Sequence, residues 1–292
     1  MSEDEFSKTS RLRFGCADAP EYPKDAASRI SRELPPVDLY AVPAGCCAGD
    51  SDPGRIRPQN EDSYLICTRP DGRFTFAAVA DGVGGRMAGE VASRLCLTTL
   101  FEEWDRLNRE GRFDSMTPDA IPVFLSETVR KANGAVFSSA ASQPLENRMC
   151  TTVAALFLAR KKAFTVHLGD SRIYRVRNGE IMQLTHDHSL VAELLDAGTI
   201  APDEVRNHPL AHIISRSVGV YETVEPEICV FEHVPGDRWL LCSDGLSDVA
   251  EAEEIRDAVW NSCDPADAVH GLLKLVLKRG GPDNITAICL FG

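Results

Sequence analysis

The residues best able to do chemistry lie in four acidic clusters: Asn60-Glu61-Asp62, Asp81-Gly82-Val83-Gly84-Gly85, Ser243-Asp244-Gly245 and Pro282-Asp283-Asn284. Taken singly each is weak evidence, because Asp-Gly is among the commonest turn dipeptides and an isolated example is more often a turn than a ligand. Context changes the balance. Asp81 closes an apolar run, and Asp244 follows Trp239 to Ser243, so both carboxylates stand at the mouths of buried strands, where a charge needs a partner. Several carboxylates converging there without one would raise one another's pKa, whereas divalent cations that prefer hard oxygen ligands would hold them ionised. All-oxygen ligation suits Mg2+ or Mn2+, and Gly82, with no side chain, lets its own carbonyl approach an ion closely.

The elements that must position these groups follow from periodicity. Ser63 to Thr68 and Arg73 to Ala80 read as strands joined across Pro70-Asp71-Gly72, with Phe74, Phe76, Ala78 and Ala80 on one face. Two helical patterns follow, Met87 to Leu107, with Val91, Leu95, Leu100 and Trp104 roughly a turn apart, and Pro118 to Ala141. Strand patterns return at Thr151 to Ala159, Ala163 to Leu168 and Arg172 to Arg177, and Asn178-Gly179 is a two-residue hairpin signal leading into Glu180 to Leu184. A polar, turn-rich excursion runs from His186 to Gly219, with a short helical pattern near Leu190 to Asp196. Strands at Glu225 to Val234, Arg238 to Cys242 and Ile285 to Phe291 enclose helices at Ala252 to Asn261 and Pro265 to Lys278. Consecutive helix pairs between antiparallel strands predict an α+β fold, two stacked antiparallel sheets flanked by helices in a four-layer α-β-β-α sandwich.

Length and composition bound the function. A chain of 292 residues, 43% apolar, fits one catalytic domain. Residues 1–38 mix charge, Ser and Pro without periodicity and are expected to be a flexible arm, leaving 39–292 as the domain. No segment approaches the roughly 20 consecutive apolar residues of a membrane span, and Met1 to Glu5 lacks the basic-then-apolar order of a signal peptide, so a cytoplasmic protein without a membrane partner is expected. The net charge of −13, from 31 basic and 44 acidic residues, opposes nucleic-acid binding. The ten cysteines are mostly embedded in apolar stretches and lack metal-site spacing, which predicts reduced core thiols and no structural zinc.

Six stretches, in order, resemble the successive motifs of the type 2C metal-dependent protein serine/threonine phosphatases of bacterial type. They are Gly54 to Asp62, Ala80 to Gly85, His167 to Arg172, Leu184 to His188, Cys242 to Leu246 and Gly281 to Thr286. The resemblance covers about Val37 to Gly292 and carries the same four-layer sandwich. It implies hydrolysis of phosphoserine and phosphothreonine in proteins by a hydroxide that bridges two metals and attacks phosphorus in line, with no phosphoenzyme. It further implies that Asp81 bridges two tightly bound Mn2+ or Mg2+ ions. The Gly82 carbonyl, Asp244 and Asp283 complete the protein ligands, and Glu61 and Asp62 are reached partly through water. Arg57 matches the family's phosphate-binding arginine, and its planar fork suits two phosphate oxygens. Asp170, in Gly169-Asp170-Ser171-Arg172, matches an aspartate that helps hold a third, weaker ion beside Asp244. The excursion at about 186–219 resembles a mobile flap. The implied partners are phosphoserine and phosphothreonine proteins, among them a serine/threonine kinase or its substrates.

Two departures matter. Some members carry a histidine, a proposed proton donor, where this chain has Val83, so the leaving group has no assigned acid. Within the excursion Ala211-His212 stands where members more often have Arg-Asn. The competing reading is a catalytically weak regulatory module of the same fold that binds phosphoproteins; the presence of Asp81, Asp244 and Asp283 argues against it.

Overall fold

The computed structural model describes residues 46–69, 71–83, 88–140, 148–159, 161–206 and 208–292. The expected arm at 1–38, Pro70 of the first hairpin and the start of the first helix at Met87 lie outside them. The described chain forms β1 (Cys47–Asp52), β2 (Ser63–Thr68), β3 (Phe74–Ala80) and β4 (Gly82–Val83), then α1 (Ala88–Arg109) and α2 (Ala120–Ser139). Next come β5 (Cys150–Thr151), β6 (Val153–Ala159), β7 (Lys162–Leu168), β8 (Arg172–Arg177), β9 (Glu180–Gln183) and α3 (Leu190–Asp196). β10 (Glu227–Glu232), β11 (Arg238–Cys242), α4 (Asp244–Ser247), α5 (Ala252–Asn261), α6 (Pro265–Lys278) and β12 (Ile285–Phe291) close the chain. Strand β1 and the one-turn helix α4 carry no clear periodicity and were not foreseen.

Two five-stranded antiparallel sheets result, β1-β12-β11-β8-β9 and β10-β7-β6-β3-β2. The two faces of each strand fill different layers, as a period of two requires. Phe74, Phe76, Ala78 and Ala80 of β3 pack under α1 and α2 beside Leu100 and Trp104, while Ala77 and Val79 point into the space between the sheets against Leu156, Trp239, Leu241 and Ile288. A third layer buries Leu240, Cys242 and Cys289 against Ile255, Val259, Leu272 and Val276 of α5 and α6. The order is helices, sheet, sheet, helices, the expected four-layer sandwich. No helix among the described residues is long and apolar enough to cross a membrane.

Local chemistry explains the turns. Asn178 and Gly179 both take positive φ, 53° and 78°, as a type I′ hairpin demands, between paired β8 and β9. Helix α6 starts at Pro265, the position where a missing N–H costs least, with the Asp264 carboxylate accepting the Asp267 N–H at 2.9 Å.

Candidate metal centre

Strand register brings the acidic clusters to one end of the sandwich. Ser63 pairs with Ala80, so Asp62, just before β2, and Asp81, just after β3, emerge side by side. In the other sheet Cys242 pairs with Ala287, which sets Ser243 and Asp244 beside the approach to β12 that carries Asp283 and Asn284. Asp170 follows β7, whose Leu168 pairs with Val153, and the neighbouring Thr152 donates its N–H to the Asp81 carbonyl at 2.8 Å. Both sheets therefore supply carboxylates.

Asp62 is buried, and its Oδ2 accepts the hydroxyls of Ser243 and Thr286, each at 2.7 Å, while its Oδ1 has no hydrogen-bond partner. The carboxyls of Asp62, Asp81 and Asp244 act on one another in series. Burial first, then the neighbouring Asp62, Asp244 and Asp170, pushes the Asp81 carboxyl well above its usual range. Asp244 is pushed up in the same way, by burial and then by Asp170, Asp248 and Asp283. Burial raises Asp62 to about 6 and Asp170 to about 7, the latter helped by Asp187. Asp170 is 8% exposed and its Oδ1 also lacks a partner. Such a gathering of buried and half-buried carboxylates, two of them with an orphaned oxygen, fits divalent cations, which would supply the missing partners and hold the groups ionised.

Glu61 is tied in by its backbone. Its N–H donates to Asn284 Oδ1 at 2.8 Å, and its carboxylate accepts the Gly89 N–H in the first turn of α1. Burial nevertheless lifts that carboxyl to about 7. Gly82 and Gly89 pack backbone to backbone. A Cβ on Gly82 would lie 2.1 Å from the Gly89 carbonyl, so any side chain would push α1 away from the centre. Gly245 is equally confined, 1.9 Å from the Asn284 carbonyl on the same test. Arg57 lies at the mouth, half-exposed, and donates Nη2 to Asp283 Oδ2 at 2.7 Å. All eight residues singled out in the sequence, Arg57, Glu61, Asp62, Asp81, Gly82, Asp170, Asp244 and Asp283, are thus placed at this end.

Other residues shape the centre and were not given roles from sequence. Ser243 and Thr286 orient Asp62. Asn284, besides holding Glu61, donates Nδ2 to the carbonyls of Pro53 and Gln59 at 2.9 and 2.8 Å, clamping the loop that carries Arg57. Arg172 grips Asp187 through Nε at 3.0 Å to both oxygens and Nη2 at 2.6 Å. His167, buried, bonds through Nε2 to the His186 carbonyl at 2.8 Å and stacks on His188 at 4.6 Å. These residues sit inside or beside the quoted motifs, and adjacency was the one signal available for them.

Between Arg57 and Leu277 the chain matches the family model described as protein phosphatase 2C. The chain belongs to the protein phosphatase 2C family. It is similar to the serine/threonine protein phosphatase PstP of Mycobacterium tuberculosis, 38% identical over 82% of this chain and 44% of PstP, and so spans less than half the length of that relative. The serine/threonine phosphatase stp of Listeria monocytogenes is 33% identical over 82% of this chain and 92% of stp. A crystal structure of the PstP catalytic domain in complex with two manganese ions superposes with a TM-score of 0.70 at 38% identity, over 83% of this chain and 96% of that one. The match places this 2C phosphatase with bacterial members of the family, as its motifs implied.

Proposed function

We propose that this 2C phosphatase hydrolyses phosphoserine and phosphothreonine in proteins with two divalent cations, Mn2+ or Mg2+, as cofactors, and works in cytoplasmic signalling opposite a serine/threonine kinase. The observation that carries the reading is the gathering of Asp62, Asp81, Asp170, Asp244 and Asp283 from both sheets, with the buried Oδ1 atoms of Asp62 and Asp170 unpartnered. Asp81, Asp244, Asp283 and the Gly82 carbonyl are the proposed direct ligands, Asp81 shared between the ions, with Glu61 and Asp62 reached partly through water and Asp170 serving a weaker third ion. Bound there, the cations neutralise the carboxylates and lower the pKa of water enough for it to act as a nucleophile towards phosphorus at neutral pH.

The chain's own residues do the rest. Arg57 keeps donors beyond the one it gives Asp283, and its fork binds and orients the phosphoryl oxygens. Ser243 and Thr286 fix the Asp62 carboxylate through two hydroxyls, so that it does not rotate as charge enters the site. Cys150 offers no competing nucleophile, because burial pushes its thiol up and its Sγ is bonded to the Val83 carbonyl.

The test is hydrolysis of p-nitrophenyl phosphate and a phosphothreonine peptide in Mn2+, Mg2+ or excess chelator. Turnover is expected with either metal and lost in chelator. Asp81→Asn is expected to be the most damaging ligand change, on the order of 100-fold or more, because one side chain serves both ions. Full turnover in chelator would refute the reading, and a near-normal Asp81→Asn enzyme would refute the shared ligand.

A further inference from the structure

Outside the metal centre, the described residues enclose a groove of about 460 Å3 between strand β1 and helix α6. Asp50 and Asp52 line it from β1, Arg55 from the loop that follows, and His270, Lys274 and Lys278 from α6. The three α6 residues are spaced four apart, so they form one exposed stripe along the helix. Like charges at that spacing repel, and the helix dipole offsets only Lys278, in the last turn. Neighbouring arginines are paired, Arg57 with Asp283 and Arg279 with Glu254. Among the described residues, however, no carboxylate lies within 4.0 Å of the charged ends of Arg55, Lys274 or Lys278. Asp50 and Asp52 are turned to their own chain, accepting the N–H groups of Ser51 and Gly54, each at 2.8 Å.

We infer that this groove docks an acidic stretch of the phosphoprotein substrate, with Lys274, Lys278 and Arg55 as the residues that select it. The inference rests on the proposed phosphatase activity and adds a specificity site to it. The groove leads to the metal centre. Helix α6 runs out through Lys278 towards Gly281 and Asp283, the Arg55 N–H donates to the Gly281 carbonyl at 2.7 Å, and Arg57 donates to Asp283. Arg55 and Arg57 are at most about 7 Å apart along the chain, a distance that two residues of an extended substrate cover. The stripe from Lys278 back to His270 runs about 12 Å, a further three or four extended residues. With the phosphate on Arg57, the cations therefore meet side chains about two to six residues from the phosphorylated one. Three cations against two carboxylates make the groove locally basic on a chain of net charge −13, whose overall field repels a phosphoprotein. A basic strip beside the centre offsets that repulsion where the substrate must enter, and favours acidic flanking residues over neutral ones.

The experiment is kcat/KM of the full chain in saturating Mn2+ on three phosphothreonine peptides. One carries Glu at about two to six residues before the phosphothreonine, one carries Glu at the same distances after it, and one has Gln at all these positions. Exposed ion pairs are individually weak, so wild type should prefer one of the acidic peptides over the neutral one by about 3- to 10-fold, through KM, and the preference should fade at high salt. Lys274→Ala combined with Lys278→Ala should abolish the preference, and Lys274→Glu combined with Lys278→Glu should reverse it. Each readout is the ratio of two peptides on one enzyme, so a change at the metal centre itself cancels. Equal kcat/KM on all three peptides in wild type would overturn the inference, as would a preference that survives the paired alanine substitutions. A wild-type chain that hydrolysed none of the peptides would instead overturn the proposed function.

Discussion

Arg57 and Asp283 form an ion pair at the mouth of the site, and both charges belong to the proposed chemistry. In this geometry the guanidinium occupies a carboxylate that a cation would share, so substrate and metal draw apart two groups that otherwise neutralise each other. The pair is half-exposed and contributes little to stability. Its value lies in catalysis, since charge-assisted bonds to a phosphoryl group amount to roughly 1.5 to 3 kcal/mol. Arg57→Ala is therefore expected to lower kcat/KM on a phosphopeptide about 10- to 100-fold, with melting temperature and metal affinity nearly unchanged. Arg57→Lys should recover only part, because a point charge does not reproduce the two-pronged grip. Wild-type kcat/KM in a folded, metal-loaded Arg57→Ala enzyme would return Arg57 to the role of a surface ion-pair partner.

At the scale of elements, the loop between β1 and β2 is held by one side chain that arrives just before β12. Asn284 is 6% exposed and makes three hydrogen bonds to that loop, two to carbonyls and one from the Glu61 N–H. Removing it leaves partly buried backbone groups without partners, which costs about 1 to 3 kcal/mol. Asn284→Ala should lower the melting temperature by several degrees and reduce kcat/KM as the Arg57 loop loosens; an unchanged melting temperature would show that the loop has other support. The 186–219 segment is held differently, by a β-bridge at Ser189 and Ile214 and another from Thr151 to Val218. The first bridge closes the segment on itself; its ends are tied down by the His188 N–H to the Gly169 carbonyl, next to Asp170, at 3.0 Å, and by Val218 to Thr151 of β5, which pairs with Gly82.

For the whole molecule, the metal centre is a store of electrostatic strain. Without cations, Asp62 at about 6 and Asp170 and Glu61 at about 7 lie above the ordinary carboxyl values, because they are buried. The folded chain then keeps protons that the unfolded chain releases. The associated stability is fully present below about pH 4 and is lost as pH rises through 6 and 7. Chelator-treated protein should therefore melt at a lower temperature near pH 8 than near pH 5.5, other groups being equal. Mn2+ binds the ionised carboxylates, so the rise in melting temperature that it produces should be larger at the higher pH. Thermal denaturation across that range, with chelator and with saturating Mn2+, checks both statements; a metal effect independent of pH would contradict the assignment of these carboxylates.

Much of this was legible in the chain itself. Alternation marked β3 and told its two faces apart, Asn178-Gly179 marked a hairpin, and helix periodicity bounded α5 and α6, because these signals come from neighbours a few positions away. The carboxylates at strand ends were legible for the same reason, as was their order along six motifs. Strand β1 and helix α4 were not, since the first is mostly small and polar and the second is a single turn. Nor were the partners that make the carboxylates a site. Ser243 and Thr286 meet Asp62 across 181 and 224 positions of chain, and His212 comes beside Asp248 only because the 186–219 segment folds back over α4. Contacts of that separation leave no local pattern. They are decided by the register within each sheet and by the burial of Trp239, Leu241 and Ile288 against Val79 and Leu156, which stacks one sheet on the other and brings the two halves of the centre together.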